Sequence, residues 1–307
     1  MSCTGCDFSL SNTGLPNCAP IMGVTYGYIL TPLKADDGTL NRIATNTPFN
    51  NAALEALLYA ADPSKRGYPI MDLKQVEDVR AESERQTFDD GSSIKLRDGI
   101  RTVTAAAVSV DAYFFKKLTS FGCSNNLGAY VVTIDGQLIG DASVDGFLAP
   151  IPIQRNTWDP IFVKATNATV SQVTVRFEWA IRFKDENLGM LSGSDIADDV
   201  DLLAANGLLS IFGVASAIST TGFTMKITSD YGSVNGTPVK GFTLASFVLF
   251  NVTDNLPVTI STVVDNDGTY VFTFPAQTLG DTLRLSLANT VKGFDDENLE
   301  NVAILIP

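Results

Sequence analysis

Apolar side chains occupy every second position through one long stretch of the chain. Between residues 173 and 184 these positions hold Val173, Val175, Phe177, Trp179, Ile181 and Phe183. A period of two is the pattern of a β-strand with one face on a core and the other facing water or another chain. A strand over this stretch would extend roughly 40 Å at about 3.3 Å per residue. The sequence is therefore predicted to fold mainly as β-sheet.

The same period recurs in short runs from Phe223 to the end of the chain. Its apolar positions are Phe223, Met225, Ile227, Val258, Ile260, Tyr270, Phe272, Phe274, Leu283, Leu285, Leu287, Val302, Ile304 and Ile306, and residues 242–250 add a more continuously apolar strand. Six or seven short strands separated by Asn, Asp, Gly and Pro turns predict an immunoglobulin-like sandwich. A Cys…Trp…Cys pattern is missing from this region, so an antibody-type domain is excluded.

A charged segment over residues 76–101 surrounds the turn signal Asp89-Asp90-Gly91-Ser92. The flanks alternate or are polar, which predicts a long, largely solvated β-hairpin. A helix is the competing interpretation, because Glu77, Arg80, Glu84 and Arg85 also satisfy helical pair spacing. A second strand, turn and strand are predicted over residues 129–140, around Asp135-Gly136.

Two helices are predicted. The first follows Pro48, where Ala53, Leu54, Leu57 and Leu58 recur at helical spacing. The second covers residues 109–121, with Ser109 as the N-cap, Gly122 after its end, and one apolar face. That face consists of Val110, Tyr113, Phe114, Leu118 and Phe121.

A length of 307 residues predicts two domains. Gly and Pro without a period predict an N-terminal arm over residues 1–30. A β domain is expected over residues 31–195, a connector over 196–219 with a short helix at 196–205, and the sandwich over 220–307.

The charge of the chain excludes several functions. With 34 acidic and 21 basic residues, the net charge is −13, which disfavours modules that neutralise nucleic-acid phosphates. The complete absence of His removes the base of Ser-His-Asp and Cys-His catalysis and a common zinc ligand. The first residues lack the basic start and apolar core of a signal peptide, so synthesis in the cytoplasm is expected.

The possible chemical sites each have a simpler structural interpretation. Cys3, Cys6, Cys18 and Cys123 could form a four-thiolate metal site, but reduced thiols are favoured. The sequence from Asp265 to Gly268 resembles the start of a calcium loop but lacks its final Glu, which favours a hairpin turn.

Further candidates are the acidic residues Asp198, Asp199 and Asp201, which are expected on a solvated face. Trp179 is expected in the core, whereas Trp158 is an ambiguous loop aromatic that could bind sugar. The sequence contains no phosphate-binding glycine motif. We expect no cofactor, no metal site and no catalytic residues, and the chain is not expected to be an enzyme.

The middle of the chain resembles the tail tube proteins of long-tailed bacteriophages. The resemblance rests on the order of GSSIKLRDGIRTVTAAA, VDAYFFKKLTSF, NLGAYVVTIDGQLIG and VTVRFEWAIRF, and on an appended C-terminal domain. It implies a two-sheet β-sandwich or barrel with a flanking helix, stacked as hexameric rings into a hollow conduit for DNA. The immunoglobulin-like domain would be displayed outside this tube, and the chain would be located in the virion.

The resemblance also implies partners. These are copies of the same chain, other tail proteins such as the tape measure, the terminator and the baseplate or tip, and DNA that passes without sequence-specific binding. The C-terminal domain could contact a host surface or glycan. An acidic lumen would let the genome slide without adhering.

Subunit contacts are expected on the charged hairpin, because repeated heterologous contacts close into a ring when the rotation permits. The candidate contact residues are Asp78, Arg80, Glu82, Glu84 and Arg85. The alternative for this segment is a mobile surface hairpin in a monomer.

Two other functions are considered for the whole chain. One is a surface adhesin or carbohydrate-binding module with an assembly domain, and the other is a hydrolase with paired carboxylates.

Overall fold

The computed structural model describes residues 21–307, which fold mainly as β-sheet. The strands of the first part are β1 (Thr25–Pro32), β2 (Ile43–Ala44), β3 (Tyr68–Ile70), β4 (Leu73–Arg80), β5 (Glu84–Thr87), β6 (Ser93–Arg97), β7 (Arg101–Val108), β8 (Leu127–Thr133), β9 (Leu138–Asp141), β10 (Phe147–Leu148), β11 (Ile151–Pro152), β12 (Asp159–Val163), β13 (Gln172–Glu178) and β14 (Leu188–Leu191). Helices α1 (Asn51–Leu58) and α2 (Ala112–Ser120) lie among them.

Two antiparallel sheets pack face to face in this part. The first has the order β14-β9-β8-β1-β3, with β11 also paired to β8, and the second has the order β12-β13-β7-β4. One buried cluster takes Leu30 and Ala129 from the first sheet and Val103 and Phe177 from the second. The alternate side chains of β8, such as Tyr130, face a second cluster on the opposite side of the first sheet.

Both predicted helices are present. Asn50 Oδ1 accepts a hydrogen bond of 2.9 Å from Ala53 N at the start of α1, whose Leu54 and Leu58 enter the second cluster. Helix α2 starts later than predicted, because Asp111 and not Ser109 is its N-cap, with Oδ1 2.8 Å from Phe114 N.

Trp158 belongs to the core, which corrects its interpretation as a loop aromatic. Its indole Nε1 donates to Leu118 O at 2.8 Å, and its ring stacks on Phe177 with centroids 5.6 Å apart. The side chain is buried, so it presents no surface for a sugar. Trp179 is also buried, as predicted.

The long strand predicted over residues 173–184 is shorter in the structure. Strand β13 ends at Glu178, after which Trp179 N donates to Arg101 O and Phe183 N donates to Ala180 O. The turn closed by this second bond leaves Ile181 half exposed, although Phe183 is buried again. The alternation therefore continues across a bend that periodicity alone does not show.

Two predicted segment limits are wrong. The last residues of the N-terminal arm predicted over 1–30 belong instead to β1, which begins at Thr25 and pairs with both β3 and β8, whereas residues 1–20 lie outside the described residues. The connector cannot extend to residue 219, because residues 209–219 form a strand, and no helix covers residues 196–205.

The second part of the chain contains ten strands and one short helix. The strands are β15 (Leu209–Ser219), β16 (Gly222–Ser229), β17 (Thr237–Pro238), β18 (Phe247–Asn251), β19 (Leu256–Val258), β20 (Thr262–Asp265), β21 (Thr269–Thr273), β22 (Thr282–Leu287), β23 (Phe294–Asp295) and β24 (Ile304–Leu305), and the helix is α3 (Glu297–Glu300). The strand predicted over 242–250 begins only at Phe247, because Leu244–Ser246 is a 3₁₀ turn.

These strands form two sheets around a core of their own. One has the order β20-β21-β16-β15-β23, with β17 also paired to β16, and the other has the order β19-β18-β22-β24. Ile211, Phe223 and Phe272 from the first sheet meet Leu249 and Leu285 from the second in one buried cluster. Strand β15 therefore belongs structurally to the C-terminal part.

Candidate subunit interface

The charged segment forms the predicted hairpin and not a helix. Its base consists of β4 and β7, which belong to the four-stranded sheet, and its tip consists of β5 and β6, which pair only with each other among the described residues. The turn follows the predicted Asp-Asp-Gly-Ser sequence, with Gly91 at φ +83° and Asp90 Oδ1 accepting from Ser92 N at 2.8 Å. Hydrogen bonds from the side chain and backbone of Ser92 lower the pKa of Asp90.

No other segment of residues 21–307 covers either face of the tip. Every residue of β5 and β6 is exposed. Gln86 lies opposite Ile94, and Arg85 lies opposite Lys95, so the two pairs point to opposite faces of the ribbon. One face therefore presents Ile94 and, two residues further on, Leu96, whereas the other presents basic side chains.

Ile94 and Leu96 form what we call the tip stripe. Each is 57% exposed, and Phe88 in the turn is 41% exposed. An isolated two-stranded ribbon is marginal in water, and large apolar side chains left exposed on one of its faces are typical of contact surfaces. The tip stripe is therefore the strongest candidate in the hairpin for contact with another chain.

A cluster of charges fixes the base of the hairpin to the rest of the first part. Arg101 donates from Nη2 to Asp78 Oδ2 at 2.9 Å and from Nη1 to Asp185 Oδ1 at 2.9 Å. Arg80 binds the same Asp185 through Nε and Nη2, at 3.0 and 2.8 Å. Partial burial opposes ionisation of Asp185, but hydrogen bonds and charges from Arg80 and Arg101 outweigh it and lower the pKa of Asp185.

The predicted contact residues fall into two groups in the structure. Asp78 and Arg80 are engaged within the chain, and Glu84 pairs with Arg97 across the tip. Of the five candidates, only Glu82 and Arg85 are exposed without an ion pair in residues 21–307. The sequence interpretation missed Ile94 and Leu96, although their spacing of two within a polar strand was a visible signal.

The base and the tip meet at a break that depends on Gly99. Arg80 Nη1 donates to Gly99 O at 3.0 Å, and Ala81 N donates to Ile100 O at 2.8 Å. A Cβ atom at position 99 would lie 1.9 Å from Ala81 O, which is too close for any side chain. The break thus sets the direction in which the tip projects.

The sheet that carries the hairpin has two open edges. Within residues 21–307, β4 pairs only with β7, and β12 pairs only with β13. Val79 on β4 and Ile161 on β12 are exposed at these edges. Unpaired strand edges are templates for pairing with another chain.

The other chemical candidates do not form sites. Asp265 Oδ1 accepts from Gly268 N at 2.8 Å within the β20–β21 turn, as predicted for a hairpin turn. Asp198, Asp199 and Asp201 are exposed, and Asp201 Oδ1 accepts from Leu203 N at 3.0 Å.

The described part of the chain holds no cluster of three or more potential metal ligands. Cys123 is exposed, and Cys3, Cys6 and Cys18 lie outside the described residues. Among the helices of residues 21–307, none is long and apolar enough to cross a membrane.

Comparison with known proteins adds no relative to this picture. Neither the protein-family models nor the curated proteins contain a match to the chain.

Proposed function

We propose that the chain is a structural subunit of a long-tailed bacteriophage tail tube, which assembles with copies of itself into stacked, hexameric rings around a conduit for the genome. The observation that carries the proposal is the hairpin, whose tip is uncovered on both faces and presents the tip stripe. A projecting ribbon with exposed apolar side chains is typical of a surface that another chain covers.

The two open edges of the four-stranded sheet support a ring. Strands β4 and β12 lie at opposite ends of the same sheet, so one subunit can offer its β12 edge to the β4 edge of the next. Such a contact is heterologous, and repeated heterologous contacts produce a closed ring or an open helix. In this proposal the first part of the chain is the tail-tube-like domain.

The C-terminal part is proposed as an immunoglobulin-like domain on the outside of the tube. Its two sheets enclose a separate core, and β15 to β24 pair among themselves. The net charge of −13 supports passage of DNA without adhesion, provided that acidic side chains face the bore. Location in the virion and contact with other tail proteins follow from the same proposal.

Electron microscopy of the purified chain tests this function. We expect rings or tubes with six-fold symmetry, and a chain that stays monomeric at every concentration would contradict the proposal. In the double variant Ile94→Ser/Leu96→Ser, we expect a normally folded monomer that does not assemble.

The matched control is Val264→Ser. Val264 is 51% exposed, close to the 57% of Ile94, but it lies on β20 in the C-terminal part. The control should assemble like the unmodified chain. Normal tubes from the double variant would show that the tip stripe is not a subunit contact, although the proposed tube would still stand.

A further inference from the structure

Within residues 21–307, the two parts of the chain pack into separate hydrophobic cores. The clusters of the first part end at Ala205, and the cluster of the second part begins at Ile211. The intervening residues include Asn206 and Gly207, both exposed. The covalent link is therefore short and crosses between the two cores once.

Helix α2 carries the first polar contact between the parts. The carboxylate of Asp111 is divided between two tasks: Oδ1 caps its own helix through Phe114 N, and Oδ2 accepts from Gly232 N at 3.1 Å. Gly232 lies in the loop after β16. One carboxylate thus binds both the helix and the C-terminal part.

The same helix provides an ion pair to the same loop. Lys117 Nζ lies 3.1 Å from Asp230 Oδ1 and 4.7 Å from the centre of the Tyr231 ring. Burial, together with the charges of Asp230 and Asp111, raises the pKa of Tyr231 to about 12. The Tyr231 hydroxyl therefore stays neutral well above physiological pH, and its ring faces the Lys117 ammonium.

A second ion pair lies on another segment. Arg66 Nη1 is 3.4 Å from Asp295 Oδ2, and Arg66 Nε donates to Ala60 O at 2.9 Å, which holds the guanidinium in place. A cavity of about 480 Å³ lies between the parts, bordered by both pairs. Its apolar lining includes Tyr68, Phe114, Phe121, Leu208 and Phe212.

We infer that these contacts form an electrostatic dock, which opens about residues 206–208 while both cores stay folded. Interfaces between domains that lack a large apolar contact permit relative motion. The dock consists of two ion pairs, one shared carboxylate and a cation–π contact around a cavity, without a common core. A partly exposed ion pair changes the equilibrium between the docked and the open arrangement by at most about five-fold.

Salt should open the dock, because dissolved ions screen its partly exposed charges. The Debye screening length falls from about 10 Å at 0.1 M to about 3 Å at 1 M ionic strength. Opening exposes the aromatic side chains of the cavity and frees the C-terminal part to change its position. This inference does not depend on the proposed assembly, since every contact in it lies within one chain.

Amide hydrogen exchange of the full chain tests the dock. The Gly232 amide reports opening directly, because it donates to Asp111, and the Val175 amide in β13 reports unfolding of the first core. We expect exchange at Gly232 to accelerate with salt while Val175 stays protected. Equal protection of Gly232 at low and high salt would overturn the inference.

Swapping the two charges of the Lys117–Asp230 ion pair gives a second, independent test. Lys117→Glu should accelerate Gly232 exchange by about five-fold. Lys117→Glu/Asp230→Lys should recover part of the slow rate, because the swap rebuilds the ion pair but not the contact of Lys117 with the Tyr231 ring. Lys116→Glu is the matched control, because Lys116 is exposed on the same helix and has no ion pair within the described residues. A double variant that exchanges as fast as Lys117→Glu would contradict the pairing, and Val175 detects any variant that simply unfolds.

Discussion

Arg101 and Asp78 face each other across the base of the hairpin and share two hydrogen bonds, Nε–Oδ1 at 2.5 Å and Nη2–Oδ2 at 2.9 Å. Both side chains are 23% exposed, so the pair is largely shielded from water. Trp179 Nε1 also lies 3.4 Å from Asp78 Oδ2. The carboxylate therefore satisfies donors from two elements of the first core.

Replacing Asp78 with Ala should lower the free energy of unfolding by about 1–3 kcal/mol, because Arg101 and Trp179 lose their acceptor in a partly buried place. Urea denaturation measures the loss, and the fluorescence of Trp179 should change with it. Glu82→Gln, at an exposed position of the same hairpin, should change the stability by less than about 0.5 kcal/mol. Equal stability of both variants would show that the pair does not stabilise the base.

Acid should weaken the ion pairs of Arg80 and Arg101, at the base of the hairpin, with the Asp185 carboxylate. The pKa of Asp185 is lowered in the folded chain, so the folded state holds this proton less tightly than the unfolded state does. Its contribution to stability is present above the ordinary carboxyl pKa of about 4 and is lost as the pH falls through the lower, folded value.

Asp185→Asn should therefore reduce stability at neutral pH and make stability less dependent on pH below about 4. Denaturation at a series of pH values measures both effects. Asp198→Asn removes one exposed carboxylate without an ion pair in residues 21–307, and it controls for the change in net charge. If the stability of Asp185→Asn falls with decreasing pH as steeply as that of the unmodified chain, Asp185 does not cause the acid dependence.

Gly99→Ala should destabilise the chain by about 1–3 kcal/mol, because its Cβ would collide with backbone that has to shift. Gly122→Ala is the control: there the nearest atom to a new Cβ, Trp158 O, is 3.8 Å away, and the backbone φ is not positive. Thermal unfolding of the two variants separates the close approach at position 99 from a general effect of losing glycine.

Truncation should succeed after residue 207 and fail after residue 219. A chain ending at 207 keeps the buried Ala205 and removes all of β15, whereas a chain ending at 219 leaves β15 without its partner β16. An unpaired strand with exposed apolar residues promotes aggregation. Size-exclusion chromatography should recover the shorter chain as a folded species and the longer one largely as aggregate. Equal recovery would show that β15 is stable without the C-terminal sheet.

The sequence was informative where local pattern and structure agree. Alternation and the Asp-Asp-Gly-Ser turn predicted the hairpin, and the apolar spacing predicted both helices. Partners distant in the chain were not predictable: Asp185 lies 84 residues from Arg101 and 105 from Arg80. Their encounter depends on how β4, β7 and the turn before β14 pack.

Strand β15 was missed for a different reason. It contains Gly213, Ala215, Ser216 and Ala217 among its apolar residues, so its alternation is weak. Small residues fit there because the space is already filled: a Cβ at Gly213 would lie 2.5 Å from Leu299 Cδ1. Only pairing with β16 and packing of α3 identify the segment as a strand.

The uncovered hairpin tip also has a consequence for the kinetics of the proposed assembly. In a free subunit every residue of β5 and β6 is exposed, and two free subunits that meet each carry a charge of −13. Their first encounter is slowed by repulsion and orders two tips at once, whereas a subunit joining a formed ring meets a surface that is already ordered. Growth should therefore begin after a lag that seeds abolish and that added salt shortens.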